Sequence, residues 1–349
     1  GISVKMITGD NKETAGAIAK EIGLVGDIID GPELDKMDDK ELEAKIKKIA
    51  IFSRVRPEHK LRIVRALKQI GEIVTMTGDG VNDAPALKEA HIGIAMGKNG
   101  TDVTREVSDL TLKDDNFATI VSAIKEGRTI FRNIKKFVTY QLSCNLAELT
   151  ILFVGVLLAP NLGWQVPILI ALQILFMNLV TDNLPAITLG FNPSSSDSMD
   201  EKPRRKAEII DKKMMALLVF TGGLLAILVL FSVWVSFNVL HKDFEHARTV
   251  ALVSLIMLEI ASAFNFRSLR KGVLTRSPFV NRYLVYASLV SISATALIIY
   301  TPLNKLFGVV PIDSAEWVFA LIPSLLLILI FDSLKALNKK RKFIDLEHI

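Results

Sequence analysis

Hydrophobic and polar positions follow two different rhythms along this chain. Up to about residue 130, short apolar runs alternate with charged stretches of helical period, whereas beyond it long apolar runs are separated by polar loops. In the first region the pattern predicts strands at 3–8, 50–53, 72–77, 92–96 and 110–112. Helices are expected at 13–22, closed by Gly23, at 38–49, at 57–70 behind Pro57, at 84–90 and as a turn near Val103. Strand-then-helix alternation of this kind predicts a parallel sheet covered by helices.

In the second region six apolar runs, near 137–159, 166–189, 214–240, 249–266, 283–301 and 316–334, reach the length of about 20 residues that crosses a bilayer. Residues 116–136, with Arg128, Arg132, Lys135 and Lys136, run into the first of these without a Gly-Pro break, which predicts one continuous stalk helix. Basic residues set the orientation: Lys202, Arg204, Arg205, Lys206, Lys212 and Lys213 in one loop, Arg267, Arg270, Lys271, Arg276 and Arg282 in another, and the tail 339–342 share one side. The opposite loops, 160–165 and 301–316, are nearly free of Lys and Arg, and Trp164, Tyr300 and Trp317 are expected at that outer interface. The expected organisation is therefore a soluble α/β part over 1–130 and an all-α membrane domain over 131–349.

Composition agrees with this segregation, since 50% hydrophobic residues coexist with 23% charged ones at a mean hydropathy of +0.38. The formal charge of +5 sits beside the apolar runs and is not interleaved with aromatics, so membrane lipid is the expected partner and nucleic acid is not. The single cysteine, Cys144, lies within an apolar run; it excludes a disulfide framework and reads as core packing. The start at Gly1, without a methionine and close to a strand, reads as a fragment.

Open parallel sheets bind ligands beyond the carboxyl ends of their strands. Two polar segments occupy such ends. Thr77-Gly78-Asp79-Gly80-Val81-Asn82-Asp83 follows an apolar strand, and its two carboxylates, four residues apart, suit Mg²⁺ held against a phosphoryl group. An ordinary Gly/Asp turn is the bland alternative, and an EF-hand loop fails on the placement of glycine and glutamate. Thr8-Gly9-Asp10-Asn11 ends the first strand, where a hydroxyl and free amides could hold phosphate, or where Asn11 is merely a helix cap. Between them Lys60, near the start of a helix, could neutralise developing phosphoryl charge, while His59 reads as a surface residue at that helix start.

Together these residues resemble the phosphorylation domain of P-type ATPases, a member of the haloacid-dehalogenase fold, and the run TGDGVNDAPAL at 77–87 is highly specific to that family. The resemblance implies that Thr8, Gly9 and Asp10 lie near the phosphate, that Lys60 is the phosphate-side lysine, and that Asp79, Asn82 and Asp83 form the hinge serving Mg²⁺. It also implies ATP as substrate, bound by a nucleotide domain outside these residues. The family's nucleophile, the aspartate of DKTGT, has no counterpart in 1–349, so this chain by itself is expected to be inactive and to depend on the N-terminal remainder of a pump.

Ionisable groups inside membrane spans are costly and mark function. Here they are Glu148, Asp182 and Glu259, accompanied by Asn145, Asn178 and Thr181 at helical spacings of three and four. Pro185, just past Asp182, is expected to break the helix there and free carbonyls for an ion. Hard oxygen ligands favour Ca²⁺, Na⁺, K⁺ or H⁺ over Zn²⁺ or Cu⁺. For Thr181 or Ser143 alone, a hydroxyl bonded back to its own helix is the simpler reading.

These membrane residues resemble the transport sites of the sarcoplasmic-reticulum type of calcium pump, through NLAE at 145–148, NLVTD at 178–182 and Glu259. The resemblance implies membrane helices five to ten of such a pump, in a plasma membrane or endomembrane. It further implies one ion held by Asn145, Glu148, Thr181, Asp182 and Glu259, and a second by Asn178 and Asp182 with an acid on another helix. Emptied acids in a low-dielectric site are expected to take up protons, so H⁺ countertransport is the expectation. The alternatives are a pump for Mn²⁺, Na⁺ or K⁺, a phosphatase fused to a membrane anchor, and a truncated membrane protein with a binding or regulatory role.

Overall fold

The computed structural model describes residues 1–194, 199–200, 202–203 and 208–341. Arg204, Arg205, Lys206 and Lys342, read above as orientation signals, lie outside the described residues. By its contacts the chain divides into two compact units, one built on Gly1–Lys125 and the other on Glu126–Ser198 and Glu208–Ile349.

Among its described residues the first unit contains six strands in two parallel sheets. One has the order β1 (Met6–Ile7), β3 (Ile49–Ser53), β2 (Asp27–Asp30), and the other β4 (Thr75–Gly78), β5 (Ile92–Met96), β6 (Leu110–Leu112). Every residue of β3 is buried, as expected of a central parallel strand covered on both faces. Ile7 pairs with Phe52, Ile28 with Ile51, and Gly78 with Ala95. Helices α1 (Lys12–Glu21), α2 (Gly31–Lys36), α3 (Asp39–Lys45), α4 (Pro57–Gln69), α5 (Ala84–Glu89) and α6 (Asp102–Val107) complete the unit. This is the α/β, parallel-sheet class expected.

Three local differences from the sequence reading have physical reasons. β1 is two residues long instead of six, because Ile2 and Val4 are half exposed and no strand pairs with them. β4 starts three residues late, since Gly71 closes α4 with φ +79° and Ile73 is 62% exposed. β2 and α2 are additional. Asp30 ends the strand and caps the helix, accepting from Glu33 N while the Glu33 carboxylate accepts from Asp30 N.

The loop after β5 is held by Asp115, whose carboxylate accepts from the amides of Gly97 (2.6 Å), Lys98 (3.0 Å) and Asn99 (2.8 Å). Its backbone is left-handed, at φ 54°. The Lys98 amide foremost, then those of Asn99 and Gly97, holds this carboxyl below its ordinary value of 3.8. A depressed folded-state value stabilises the fold above the ordinary value, and the contribution is lost as pH falls through the folded value. Asp115→Asn, which tolerates the left-handed backbone, is therefore expected to speed amide exchange at 97–99 relative to wild type near neutrality. The difference should shrink as pH falls below 3.8 and close beneath the folded-state value, and equal exchange at neutral pH would show that the charge contributes nothing.

The second unit is helical. α7 (Phe117–Leu162) is one uninterrupted helix of 46 residues, about 69 Å long at the usual rise. It is followed by α8 (Ala171–Phe176) and α9 (Asn183–Leu189), by α10 (Lys212–Trp234), α11 (Phe244–Phe266), α12 (Arg282–Tyr300) and the short α13 (Asn304–Phe307), and finally by α14 (Ser314–Arg341). Among the described residues, six helical stretches are long and apolar enough to cross a membrane. The most apolar window of α11 is 94% buried, so α11 is the centre of the bundle. α7 instead presents Leu149, Phe153, Val156 and Leu157 outward, as lipid-facing residues would be.

α8 and α9 form one span, joined through a widened turn at Met177–Asp182. The expectation that Pro185 breaks the helix past Asp182 needs correcting in position: Pro185 lies inside α9, and the widening is on its N-terminal side. A proline lacks the N–H that would bond the carbonyl four residues earlier and its ring crowds that carbonyl, which here belongs to Thr181. Ser291 Oγ on α12 reaches the Thr181 carbonyl at 3.5 Å.

Of the aromatic residues expected at an interface, Trp317 donates to the Tyr300 hydroxyl (2.6 Å), whereas Trp164 is buried with its indole N–H on Asn238 Oδ1 (2.9 Å). On α7, Lys135 is buried and paired with Asp211 at 2.8 Å, and Asp211 also caps α10 through the Lys213 and Met214 amides.

Candidate functional site

Two groups of side chains, one in each unit, have the chemistry anticipated. In the first unit, Thr8 Oγ1 donates to Asp10 Oδ2 (2.7 Å) and accepts from the Asp10 amide (3.1 Å), a compact turn at the carboxyl end of β1. The second segment follows β4. Asp83 is buried, Lys60 Nζ on α4 donates to its Oδ1, and its Oδ2 lies 3.4 Å from the amides of Asp79 and Gly80. The approach requires glycine at 78, because a Cβ there would lie 2.6 Å from that of Asp83. Asp79 and Asn82 are exposed. No hydrogen bond joins the Thr8–Asp10 turn to the Lys60–Asp83 pair among the described residues.

His59 is placed differently from the reading above. It is buried at 3% exposure at the start of α4, its Nε2 lies 2.8 Å from Asp35 Oδ1, and its Nδ1 accepts from the Arg56 amide at 3.2 Å. That pairing, ahead of the nearby Arg56 guanidinium, holds the Asp35 carboxyl below the usual carboxylate range. His59 is thus a structural tie, not a surface residue.

In the second unit the acids converge. Asp182 and Glu259 are fully buried and Glu148 is 6% exposed. Asn178 Nδ2 donates to Glu148 Oε2 at 3.3 Å. Glu148 Oε1, Asn145 Oδ1, Gln141 Oε1 and both carboxylate oxygens of Asp182 and of Glu259 are buried without a hydrogen-bond partner among the described residues. An unsatisfied buried acceptor costs about 1–3 kcal/mol, and more if charged, a cost that a bound ligand at this cluster would relieve. Seven acceptor oxygens that make no hydrogen bond among the described residues could hold a hard cation. Thr181 is also buried, but its hydroxyl bonds back to Met177 O (3.2 Å), as does Ser143 to Thr139 O (2.7 Å). For these two residues the bland reading describes the geometry.

Two residues here are not expected at the site from the sequence. Gln141 sits four positions before Asn145, one helical turn, so its polarity within an apolar run was an available signal. Cys144 was read as packing, yet its Sγ lies within 4.8 Å of carboxylate oxygens of both Asp182 and Glu259. Its spacing of four from Glu148 places it on that face.

Comparison with known proteins agrees with this division of chemistry. Residues 1–91 match the model of haloacid dehalogenase-like hydrolases, and residues 166–337 match that of the cation transporting ATPase C-terminus. The chain belongs to the P-type cation-transporting ATPases. It is 41% identical to a calcium-transporting ATPase 1 of Bacillus cereus, over 97% of this chain and 40% of that protein. It is 38% identical to the human calcium-transporting ATPase type 2C member 1, over 99% of this chain and 37% of that protein. An endoplasmic reticulum-type calcium-transporting ATPase 4 of Arabidopsis thaliana is 36% identical over 97% of the chain and 37% of its own length. The chain thus spans about two-fifths of the length of the curated relatives it matches. With its six membrane-length helices, this P-type ATPase chain is a multi-pass integral membrane protein.

Proposed function

We propose that the chain is the later part of an ATP-driven calcium pump, in which formation and hydrolysis of an aspartyl-phosphate drive Ca²⁺ out of the cytosol. The observation that carries this reading is the set of four unpartnered carboxylate oxygens of Asp182 and Glu259, buried in the core of the helical unit. Glu148, Asn145, Asn178 and Thr181 complete the ligand set, Thr181 through the lone pairs of a hydroxyl whose proton is donated to Met177 O. In this reading the domain boundary lies near 130/131 and the spans are membrane helices five to ten. The names of the relatives, all calcium-transporting, favour Ca²⁺ over Na⁺, K⁺ or Mn²⁺.

At the soluble site, Asp79 and Asp83 are suited to Mg²⁺, a hard ion that takes one or two carboxylates and phosphate oxygens. That ion, when bound, would supply charge neutralisation at the phosphoryl group. Lys60 and the Thr8-Gly9-Asp10 turn hold and orient phosphate oxygens, while Asn82, exposed beside the two acids, contacts the same group. Asp83 is paired with Lys60 in the structure, so Lys60 both holds that carboxylate in place and stands ready to turn toward a phosphate. ATP is the phosphoryl donor. α7 contributes residues to both units and is the element along which phosphorylation and ion binding would be coupled.

Once the cation leaves, bare carboxylates in a dry core are costly, and protons replace it, giving H⁺ countertransport. The test is ⁴⁵Ca²⁺ uptake into sealed vesicles carrying the full-length protein. ATP-dependent uptake accompanied by alkalinisation of the vesicle interior is expected. ATP hydrolysis stimulated by another cation, without Ca²⁺ uptake, would overturn the calcium assignment.

A further inference from the structure

Cys144 takes no part in the scheme above, yet it faces the centre of it. It is fully buried on α7, and its Sγ and a carboxylate oxygen from each of Asp182 and Glu259 all lie within 4.8 Å of one another. A buried free thiol is ordinarily a small hydrophobe packed among hydrophobes. This one is packed beside two fully buried acids whose four oxygens have no hydrogen-bond partner among the described residues. The three side chains come from three separate helical segments: α7, the widened turn before α9, and α11.

A hard cation of the calcium kind takes oxygen ligands and leaves a neutral thiol unused. A thiophilic cation of the same charge and similar size does the opposite, because thiolate sulfur is its preferred donor. We propose that Cys144 gives the buried cation site a soft ligand, so that a thiophilic divalent cation of the cadmium class binds between Cys144 Sγ, Asp182 and Glu259 and competes with the transported ion. The step is a ligand exchange: the S–H bond is replaced by an S–metal bond, the proton leaves to solvent by the ion's own path, and no electrons are transferred. The thiolate binds such a dication more tightly than it would bind calcium. The proposal rests on the reading of Asp182 and Glu259 as ion ligands, but not on calcium being the physiological ion.

The experiment uses the purified full-length protein and Cd²⁺ alone, reading the ultraviolet thiolate-to-metal charge-transfer absorption and, in parallel, the displacement of bound ⁴⁵Ca²⁺. Wild type is expected to show the band, and Cys144→Ser to lose it. The ratio of Cd²⁺ to Ca²⁺ affinity is expected to fall about tenfold or more in that variant, the scale on which even outer-shell changes act at metal sites. Cys144→Ala should reproduce the loss if the serine variant folds poorly. Saturating Cd²⁺ that gives no band in wild type, or a band and an affinity ratio retained in both variants, would overturn the proposal. A Cys144-dependent band in a protein that takes up no Ca²⁺ would refute the calcium reading while leaving the soft site standing.

Discussion

Replacing Glu259 with Gln in the full-length protein is expected to weaken the cation dependence of ATP hydrolysis by a factor of roughly 10 to 100. Glu259 is fully buried, on the helix that forms the centre of the bundle, and neither of its oxygens has a partner among the described residues. Gln keeps the shape, removes the charge and turns one acceptor into a donor pointing at the ion. Losing an ionic contact of this kind costs about 1.5–3 kcal/mol, and roughly 1.4 kcal/mol is a factor of ten. Stability should move the other way or not at all, because an uncompensated buried acid is itself unfavourable. The two readouts separate the explanations. A lower melting temperature with unchanged cation affinity would make Glu259 a tie between helices, not a ligand.

The second large effect is expected at Lys60. Its ammonium is the partner of Asp83, with the two side chains 24% and 7% exposed. Lys60→Ala leaves the Asp83 carboxylate buried with one oxygen unpaired, for a loss of about 1–3 kcal/mol in the stability of the first unit, nearer the lower value given the solvent access of Lys60. The rate of phosphoryl transfer should fall further, by roughly 100- to 1,000-fold, since a positioned charge at developing phosphoryl oxygens is lost as well. Lys60→Gln, which keeps a donor toward Asp83 but not the charge, discriminates between these roles: stability should largely recover relative to Lys60→Ala, and phosphoryl transfer should not. Recovery of both would reduce Lys60 to a structural donor.

The sequence was most legible where one physical effect dominates. Strands β3 and β5 follow from short apolar runs, and the six spans follow from hydropathy and length alone. β2 was missed because only two isoleucines lie between Asp27 and Asp30, and aspartate reads as a turn signal unless its capping of α2 is known. Pro185 was recognised as a disruption but located on the wrong side, since a proline disturbs the turn before it, not the one after. His59 was read as exposed because the pairing with Asp35 joins two elements 24 residues apart, which periodicity does not report.

The candidate cation site divides in the same way. Glu148, Asp182 and Glu259 stand out because charge inside an apolar run is conspicuous, whereas Cys144 is itself apolar enough to vanish into that run. Only the packing of α7 against the turn before α9 and against α11 brings its sulfur to the acids. Thr181 has ligand chemistry and the right helix face, and its hydroxyl donates to Met177 O, a bond to its own helix that leaves the oxygen's lone pairs available.

The most direct test of the cation site is a crystal structure of the full-length protein with Ca²⁺, examined for anomalous scattering. The account predicts an ion peak between the carboxylates of Asp182 and Glu259, with Glu148 turned toward it. Carboxylates bonded to one another or to newly placed donors, with no peak in a crystal that binds Ca²⁺ elsewhere, would contradict it.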